Sequence, residues 1–344
     1  MCPISFVTLI YYENYSILSQ KIAVLKKQLL PSDEVIFVLN RKTEKKAVSF
    51  NWAKTNYAIK YIVPRGLIKI AKTVNASFVI PTSNGLADAR NQGVAFAKNE
   101  IVALTDEDTI LVDNWANTVR HNFKMRNADF IFGPMIISNC SSILEWWRNE
   151  YESVFSTRNV LLKNCQIGAN NFISCAGRNI AVKRSSFIAV GGYNPKFNHL
   201  LGEDLDLEIR FVEQKYKVFF VKNMGAKHLH PIWLLGVLNK FWIGGKSDAN
   251  WVRFNNHKIG LRKLSRNYVS PLKQIAFVLA IVVFLINFIY ALFVVLIASL
   301  SMMLNMKRRP KPLFVMLSLV LMPVKFILAN IAFWYQFIKQ SETL

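Results

Sequence analysis

The sequence is short of cysteine and of acidic residues, and these shortages exclude some classes of protein. Four cysteines are present (Cys2, Cys140, Cys165 and Cys175), and no two of them form a Cys-x-x-Cys pair. A secreted domain held together by disulfides is therefore excluded. The 43 Lys and Arg outnumber the 21 Asp and Glu, for a formal net charge of +22. Charged residues make up only 19% and hydrophobic residues 52%, an apolar excess that a wholly soluble domain rarely has.

Charge is missing altogether from one long stretch and almost missing from a second. The first uncharged run covers residues 274–306, and as a single helix it would be roughly 50 Å long, longer than the ~30 Å hydrocarbon core of a bilayer. The second run, at 313–338, is interrupted only by Pro323 and Lys325. We expect residues 274–338 to form two transmembrane helices, with a re-entrant second segment as the alternative.

A basic and aromatic segment, residues 232–273, precedes the first apolar run. Eight basic residues and one acidic residue lie between positions 240 and 273, with Trp, Phe and Tyr among them. This mixture beside an apolar helix is typical of contact with an anionic leaflet, so we expect anionic membrane lipids as partners and no nucleic acid. The positive-inside rule then places the preceding domain on the cytoplasmic face, for example of a bacterial inner membrane. The basic residues at 307–311 conflict with that rule if both runs cross once.

The N-terminal part of the chain alternates short apolar runs with segments of helical spacing. Strands are predicted at 4–10, 34–39, 59–63, 78–80 and 101–104, and helices at 16–30 and 86–98. This alternation predicts an α/β domain, in which helices cover both faces of a mostly parallel sheet. Ligands of such sheets bind at the carboxyl ends of the strands.

Three consecutive carboxylates follow the strand predicted at 101–104. Asp106, Glu107 and Asp108 repel one another unless a positive charge lies between them. A Mg2+ or Mn2+ ion that carries a diphosphate is an economical partner, because hard divalent cations take oxygen ligands and bridge carboxylate to phosphate. A solvated acidic turn that caps the next helix is the alternative.

Two blocks of sequence resemble the family 2 glycosyltransferases of the GT-A fold. The first block is NGLADARNQG at 84–93, followed by an apolar strand and DED at 106–108. The second is GRNIAVKR at 177–184, VGGY at 190–193 and GEDLDL at 202–207. The resemblance implies the GT-A fold of nucleotide-diphospho-sugar transferases.

The resemblance also implies a division of the chain. A GT-A catalytic domain would occupy residues 1–231, with a donor half at about 1–137 and an acceptor half at about 138–231. Residues 138–172 would be an insertion. The basic aromatic segment and the two apolar helices would follow this domain.

The resemblance implies roles at the metal and at the acceptor. Asp108 would ligate the metal, Asp106 would contact the metal or the nucleotide ribose, and His228 would lie near the metal or the diphosphate. Asp204 would deprotonate the acceptor hydroxyl, as a carboxylate base can. Glu203 would stand beside it, with stabilisation of a helix N-terminus as its alternative role. For His228 the alternative is an ordinary hydrogen-bonded histidine.

Further residues would contact the nucleotide-sugar. Glu13 would lie in the loop after the first strand, and Arg90 would lie near the donor, with a surface arginine as the alternative. Asn40 stands where the family usually has an Asp that reads the base or the ribose. Arg178 stands in a loop that often has smaller residues, which would reshape the acceptor site.

These expectations converge on one function. The chain would be a metal-dependent, inverting glycosyltransferase that moves a sugar from a nucleotide-sugar donor to a lipid-linked or membrane-proximal acceptor in glycan or polysaccharide biosynthesis. A catalytically silent GT-A-like membrane scaffold is one alternative. A nucleotidyltransferase is another, but the glycine-rich loop that such enzymes need after the first strand is missing.

Overall fold

A computed structural model gives the structure of the protein. It describes residues 2–11, 14–39, 48–51, 63–82, 85–136, 142–147, 150, 164–169, 172, 175, 177–197, 202–229, 234–254, 271–286, 288–304 and 311–339. The chain divides into two compact units. The first contains Met1–Ser138, Leu161–His199 and Glu203–His230, and the second contains Asn139–Val160, Leu200–Gly202 and Pro231–Leu344.

The first unit contains the strands and the shorter helices. Its strands are β1 (Ile4–Ile10), β2 (Glu34–Leu39), β3 (Val48–Asn51), β4 (Ser77–Ile80), β5 (Ile101–Asp106), β6 (Thr109–Leu111), β7 (Phe130–Phe132), β8 (Met135–Ile136), β9 (Cys165–Ile167), β10 (Asn179–Lys183), β11 (Val218–Phe220) and β12 (Ala226–His228). Its helices are α1 (Tyr15–Lys26), α2 (Arg65–Lys72), α3 (Leu86–Phe96), α4 (Trp115–Arg126), α5 (Arg184–Ala189) and α6 (Glu203–Glu213).

A nine-stranded sheet forms the centre of this unit, in the order β3-β4-β2-β1-β5-β10-β7-β11-β9. The neighbours β4, β2, β1 and β5 are parallel, and so are β7 and β11. β3, β10 and β9 run antiparallel to the strands beside them. A small second sheet has the order β6-β12-β8. The predicted α/β architecture is confirmed, and its large sheet is mixed, with four parallel and four antiparallel strand pairs.

Both faces of the large sheet are buried, which explains why its inner strands are continuous apolar runs. On β1, Ile4, Phe6 and Ile10 belong to the core cluster shared with α1, α2 and α4. Val7 and Leu9, which point to the other face because side chains alternate along a strand, belong to the cluster shared with α3, α5 and α6. The central strands are therefore held from both sides.

Small residues bring α3 close to the sheet. A Cβ placed on Gly93 would lie 2.6 Å from Val7 Cγ1 and 2.8 Å from Val38 Cγ2, so this position accepts no larger side chain without displacement. Ala87 and Ala89 are also fully buried. The glycine and alanines of the NGLADARNQG block thus let α3 pack closely against the sheet. This close packing determines the position of Arg90.

Two boundaries differ from the expected ones for identifiable reasons. α1 ends at Lys26, before the expected end at Leu30. β5 continues through Thr105 to Asp106, because polar residues can extend a strand when they find buried partners, and Thr105 Oγ1 lies 3.2 Å from Thr8 Oγ1 on β1. Most of the strand expected at 59–63 lies outside the described residues.

The second unit is helical among its described residues. Its helices are α7 (Leu234–Phe254), α8 (Pro271–Ile286), α9 (Phe288–Leu304) and α10 (Pro312–Lys339). The described residues of the apolar run at 274–306, expected as one helix, lie in α8 and α9, and residue 287 between them lies outside the described residues. Within the described ranges α10 is the one helix that is both long and apolar enough to cross a membrane. Pro323 lies inside α10 and does not end it.

α7 packs against α10 in this unit. Trp147 Nε1 donates to Ser318 Oγ of α10 at 2.9 Å, and the Trp147 ring stacks on Phe314 of α10 and meets Phe241 of α7. A Cβ on Gly245 would lie 2.0 Å from the carbonyl oxygen of Ala329, so the two helices approach as closely as a glycine permits. The first part of the segment expected to be juxtamembrane is therefore a helix with a buried face.

Candidate active site

The DED motif lies at the carboxyl ends of β1 and β5, where Leu9 pairs with Asp106. The Glu107 amide donates to the carbonyl of Leu9 at 3.0 Å, and the Glu107 carboxylate accepts from the Tyr11 amide at 3.1 Å. Glu107 is buried. A fully solvated acidic turn is thereby excluded, since the middle carboxylate fixes the loop to the end of β1.

Lys21 of α1 supplies positive charge beneath the motif. Its Nζ donates to Thr105 Oγ1 and to the Asp106 carbonyl, both at 2.7 Å. Burial lowers the pKa of Lys21 to about 7, although the neighbouring carboxylates of Asp106, Asp108 and Glu107 raise it. Part of the repulsion among the three carboxylates is therefore offset from inside the protein.

Arg90 joins the two motif blocks at one point. Its Nη1 donates to Glu203 Oε1 at 2.7 Å and to Asp204 Oδ1 at 3.3 Å, and its Nη2 donates to Asp106 Oδ1 at 3.3 Å. The guanidinium carbon lies 5.3 Å from the centre of the Tyr193 ring. Arg90 is 4% exposed, so the alternative of a surface arginine is excluded.

The two acidic residues at the start of α6 have different surroundings. The Glu203 side chain is 3% exposed and the Asp204 side chain 27%. Burial and the neighbouring Asp204 raise the pKa of Glu203 to about 7, against the opposing effect of Arg90. Asp204 thus offers the accessible carboxylate of the pair, while Glu203 anchors the arginine.

A glycine lies against the Asp204 carboxylate. Gly177 has φ +43°, and a Cβ built on it would fall 2.0 Å from Asp204 Oδ2. Both the left-handed backbone and the close approach require glycine here. The GRNIAVKR block therefore passes directly beside the carboxylate of the GEDLDL block.

Asp108 and His228 form a second polar pair. β12 pairs with β6 so that His228 lies opposite Thr109, and His228 Nε2 lies 2.9 Å from Asp108 Oδ2. Their side chains are 16% and 13% exposed. Arg178 Nη1 lies 2.9 Å from the same Nε2. His228 is thus held between a carboxylate and a guanidinium.

This pair fits a divalent cation. Two ligands about 2.1 Å from one octahedral ion lie roughly 3 Å apart, which matches the 2.9 Å between Asp108 Oδ2 and His228 Nε2. Carboxylate oxygen and imidazole nitrogen together suit Mn2+. The described part of the chain contains no group of three or more His, Cys, Asp or Glu placed to enclose an ion.

Comparison with known proteins gives the family. The model of the family described as "Glycosyl transferase family group 2" matches residues 101–306, more than half of the chain. The chain belongs to this family. A search of curated proteins found no match.

Two solved structures are similar to this glycosyltransferase. One is mannosyltransferase PcManGT from Pyrobaculum calidifontis in complex with GDP-Man and Mn2+, with a TM-score of 0.58 and 14% identity over 96% of this chain and 87% of that one. Another is GalNAc-T7 with UDP, GalNAc and Mn2+, with a TM-score of 0.49 and 13% identity over 78% of this chain and 54% of that one. The likeness to the mannosyltransferase confirms the GT-A fold expected from the motifs.

The structure of this glycosyltransferase brings most of the expected site residues together. Arg90, Asp106, Glu203 and Asp204 are joined through the guanidinium, and Asp108 contacts His228. The roles assigned to them stay predictions. Glu13 and Asn40 lie outside the described residues, and so does most of the insertion expected at 138–172.

Sequence reasoning assigned no role to several residues that support the site. Lys21 and Glu107 carry no motif signal beyond a lysine on the apolar face of α1 and an acid between two others. Asn91 could have been found, because it belongs to the first block. Its side-chain amide donates to the Tyr193 carbonyl and accepts from the Tyr193 amide, both at 2.8 Å. Asn91 therefore ties α3 to the VGGY segment.

Proposed function

We propose that this glycosyltransferase is metal-dependent and inverting, and that it transfers a sugar from a nucleotide-sugar donor to a lipid-linked or membrane-proximal acceptor. The reaction would take place at the cytoplasmic face of a membrane, in the synthesis of a glycan or polysaccharide. The donor site would lie at the DED motif and the acceptor site at the start of α6.

One observation carries the proposal: the Arg90 guanidinium contacts Asp106 of the first block and both Glu203 and Asp204 of the second. A transfer reaction needs donor and acceptor held within reach of each other. A buried arginine that spans the two carboxylate groups fixes that geometry before substrates arrive. A scaffold without activity would not require an accessible carboxylate at this point, and Asp204 is such a carboxylate.

Asp108 and His228 would hold Mg2+ or Mn2+, with Asp106 as a further ligand or as a contact to the nucleotide ribose. When bound, the ion neutralises charge on the departing nucleoside diphosphate. Asp108 Oδ2 and His228 Nε2 lie at a separation that suits ligands of one ion. The complex of the similar mannosyltransferase with GDP-Man and Mn2+ supports both the donor class and the metal.

Asp204 would accept the proton of the acceptor hydroxyl. Its carboxylate is the more exposed one at the start of α6, and the hydrogen bond from Arg90 orients it. A single base acting opposite the leaving group corresponds to inversion at the anomeric carbon. Glu203 was predicted as a second catalytic residue, but its burial favours a role in holding Arg90.

The membrane assignment rests on the second unit. Large apolar side chains on α8, α9 and α10 are exposed, among them Ile275, Ile289, Phe293, Val320 and Ile331. Large apolar side chains exposed on several helices are typical of lipid or protein contact. The basic residues that precede and follow α8 and α9 in the sequence favour anionic lipid headgroups as partners.

The test is a thermal-shift panel on the purified protein with nucleoside diphosphates of different bases and Mn2+. A ligand that binds only the folded state stabilises it by RT ln(1 + [L]/Kd), about 2.7 kcal/mol at 100 times Kd. At least one nucleoside diphosphate should raise the unfolding temperature with Mn2+ and should lose most of this effect with a chelator. No shift with any base would contradict the proposal.

A further inference from the structure

Arg178 occupies an unusual position between the two halves of the site. It follows Gly177, which touches the Asp204 carboxylate, and its Nη1 lies 2.9 Å from His228 Nε2. That nitrogen also lies 2.9 Å from Asp108 Oδ2. The guanidinium therefore lies at the imidazole nitrogen that fits a metal ligand.

The guanidinium of Arg178 lies over the face of the imidazole ring. Its Nη1 is 2.9 Å from Nε2 and 3.4 Å from Nδ1, whereas a donor on the in-plane lone pair of Nε2 would lie much farther from Nδ1. Arg178 thus places a positive charge beside the nitrogen that would ligate a metal ion, and two cations so close repel each other. An anion that contacts both cations would offset this repulsion.

The backbone restricts where Arg178 can turn. Asn179, the next residue, is buried, and its side-chain amide donates to the carbonyls of Pro134 and Met224. Its side-chain oxygen accepts from Trp115 Nε1 at 2.9 Å. With Asn179 fixed in this way, the backbone of Arg178 is anchored beside the Asp108–His228 pair.

We propose that Arg178 binds the diphosphate of the donor next to the metal. The planar fork of five donors matches phosphate oxygens in pairs, which the point charge of a lysine does not. This role rests on the proposed function for the identity of the anion. In this role, Arg178 would neutralise part of the negative charge on the leaving nucleoside diphosphate.

Replacing Arg178 should change the affinity for two ligands in opposite directions. In Arg178→Ala, Mn2+ alone should bind several-fold more tightly, because a repelling positive charge is gone. Inorganic pyrophosphate, added to protein saturated with Mn2+, should bind about 10-fold or more weakly, because charge-assisted hydrogen bonds are lost. Calorimetry on the full chain measures both affinities without any turnover.

Lys227→Ala is the matched control. Lys227 precedes His228 on β12, its side chain is exposed, and the variant loses the same charge. Both affinities should stay as in the wild type. Arg178→Lys, which keeps the charge and serves if the alanine variant fails to fold, should recover only part of the pyrophosphate affinity.

Four outcomes overturn the inference. An Arg178→Ala protein that loses Mn2+ binding would make Arg178 a structural support for His228. If Arg178→Ala binds pyrophosphate as tightly as the wild type, Arg178 does not bind phosphate. If Lys227→Ala loses as much pyrophosphate affinity as Arg178→Ala, the effect comes only from the loss of a positive charge. A wild type that binds neither Mn2+ nor pyrophosphate would overturn the proposed function as well, so the two failures are distinguishable.

Discussion

At the scale of single residues, Asp204 and Glu203 are neighbours with different expected roles. Asp204→Asn removes the base but keeps a side chain of the same size, so transfer should fall by about 100-fold or more. Binding of Mn2+ and nucleoside diphosphate should stay close to that of the wild type. Parallel binding and transfer assays measure the two effects. If the variant loses donor binding as strongly as transfer, Asp204 belongs to the donor site instead.

The raised pKa of Glu203 predicts that the stability of the protein depends on pH. Its pKa is raised from 4.5 to about 7 in the folded protein, so its contribution to the free energy of unfolding is fully present below pH 4.5 and is lost as the pH rises through about 7. Arg90 and Asp204 face it, together with Tyr11 and Tyr193, whose pKa values burial raises above the ordinary value of 10.

Glu203→Gln does not titrate and serves as the reference. The unfolding temperature of the wild type minus that of the variant should decrease between pH 5 and pH 8. Thermal unfolding of both proteins in the same detergent, at one-unit pH steps, measures this difference. A difference that is constant or grows with pH would show that Glu203 is ionised throughout.

Single residues also mark what the sequence could and could not predict. Arg90, Asp106, Asp108 and Asp204 stand in motifs whose spacing carries the signal. In the structure Arg90 contacts Asp106 and Asp204, and Asp108 contacts His228, while their roles stay predictions. Lys21 has no such signal. Its burial beneath the motif depends on how α1 packs against β5, and tertiary packing cannot be read from the residue itself.

At the scale of elements, one methyl group added at Gly177, in the loop before β10, should reduce transfer. The Cβ of Gly177→Ala would overlap the Asp204 carboxylate. The carboxylate must then move. A displacement of about 1 Å can cost roughly 100-fold in rate, so transfer should fall strongly while donor binding stays.

Gly191→Ala is the control for backbone strain. Gly191 also has a positive φ, +90°, but the nearest atom to its Cβ is Arg210 Nη1 at 4.0 Å. Each variant should lose about 1–2 kcal/mol of stability, and only Gly177→Ala should lose transfer. Equal losses of transfer would mean that strain, and not the contact with Asp204, is responsible.

The strands and helices of the first unit were largely predictable, because buried strands and amphipathic helices have distinct periods. β1 and β2 have the expected bounds. The contact between α8 and α9 within the apolar run at 274–306 was not predicted, because hydropathy gives the length of a run but not how its parts pack.

At the scale of the whole molecule, the packing of α8 against α9 bears on membrane topology. The described residues of these helices number 16 and 17. The two helices contact each other. If they enter and leave the bilayer by one face, residues 307–311 lie on the same face as residues 232–273, and the conflict with the positive-inside rule disappears.

An epitope tag inserted between Arg308 and Arg309 tests this topology. Antibody should reach it in the same sealed vesicles, and from the same side, as a tag at the N-terminus. A tag at the C-terminus reports separately on whether α10 crosses. Access to the 308–309 tag from the opposite side would restore a single crossing for residues 274–306.

The central claim is that the chain transfers sugar from a nucleotide-sugar with the help of a metal held by Asp108. The most direct measurement is release of nucleoside diphosphate from a panel of nucleotide-sugars by the purified full chain, with Mn2+, with chelator, and in Asp108→Ala. Asp113→Ala, which removes an exposed carboxylate shortly after the motif, is the control. We predict release by the wild type and by Asp113→Ala with Mn2+, and a loss of about 100-fold or more with chelator or in Asp108→Ala. Absence of release with every donor, or release that neither the chelator nor Asp108→Ala reduces, would contradict the claim.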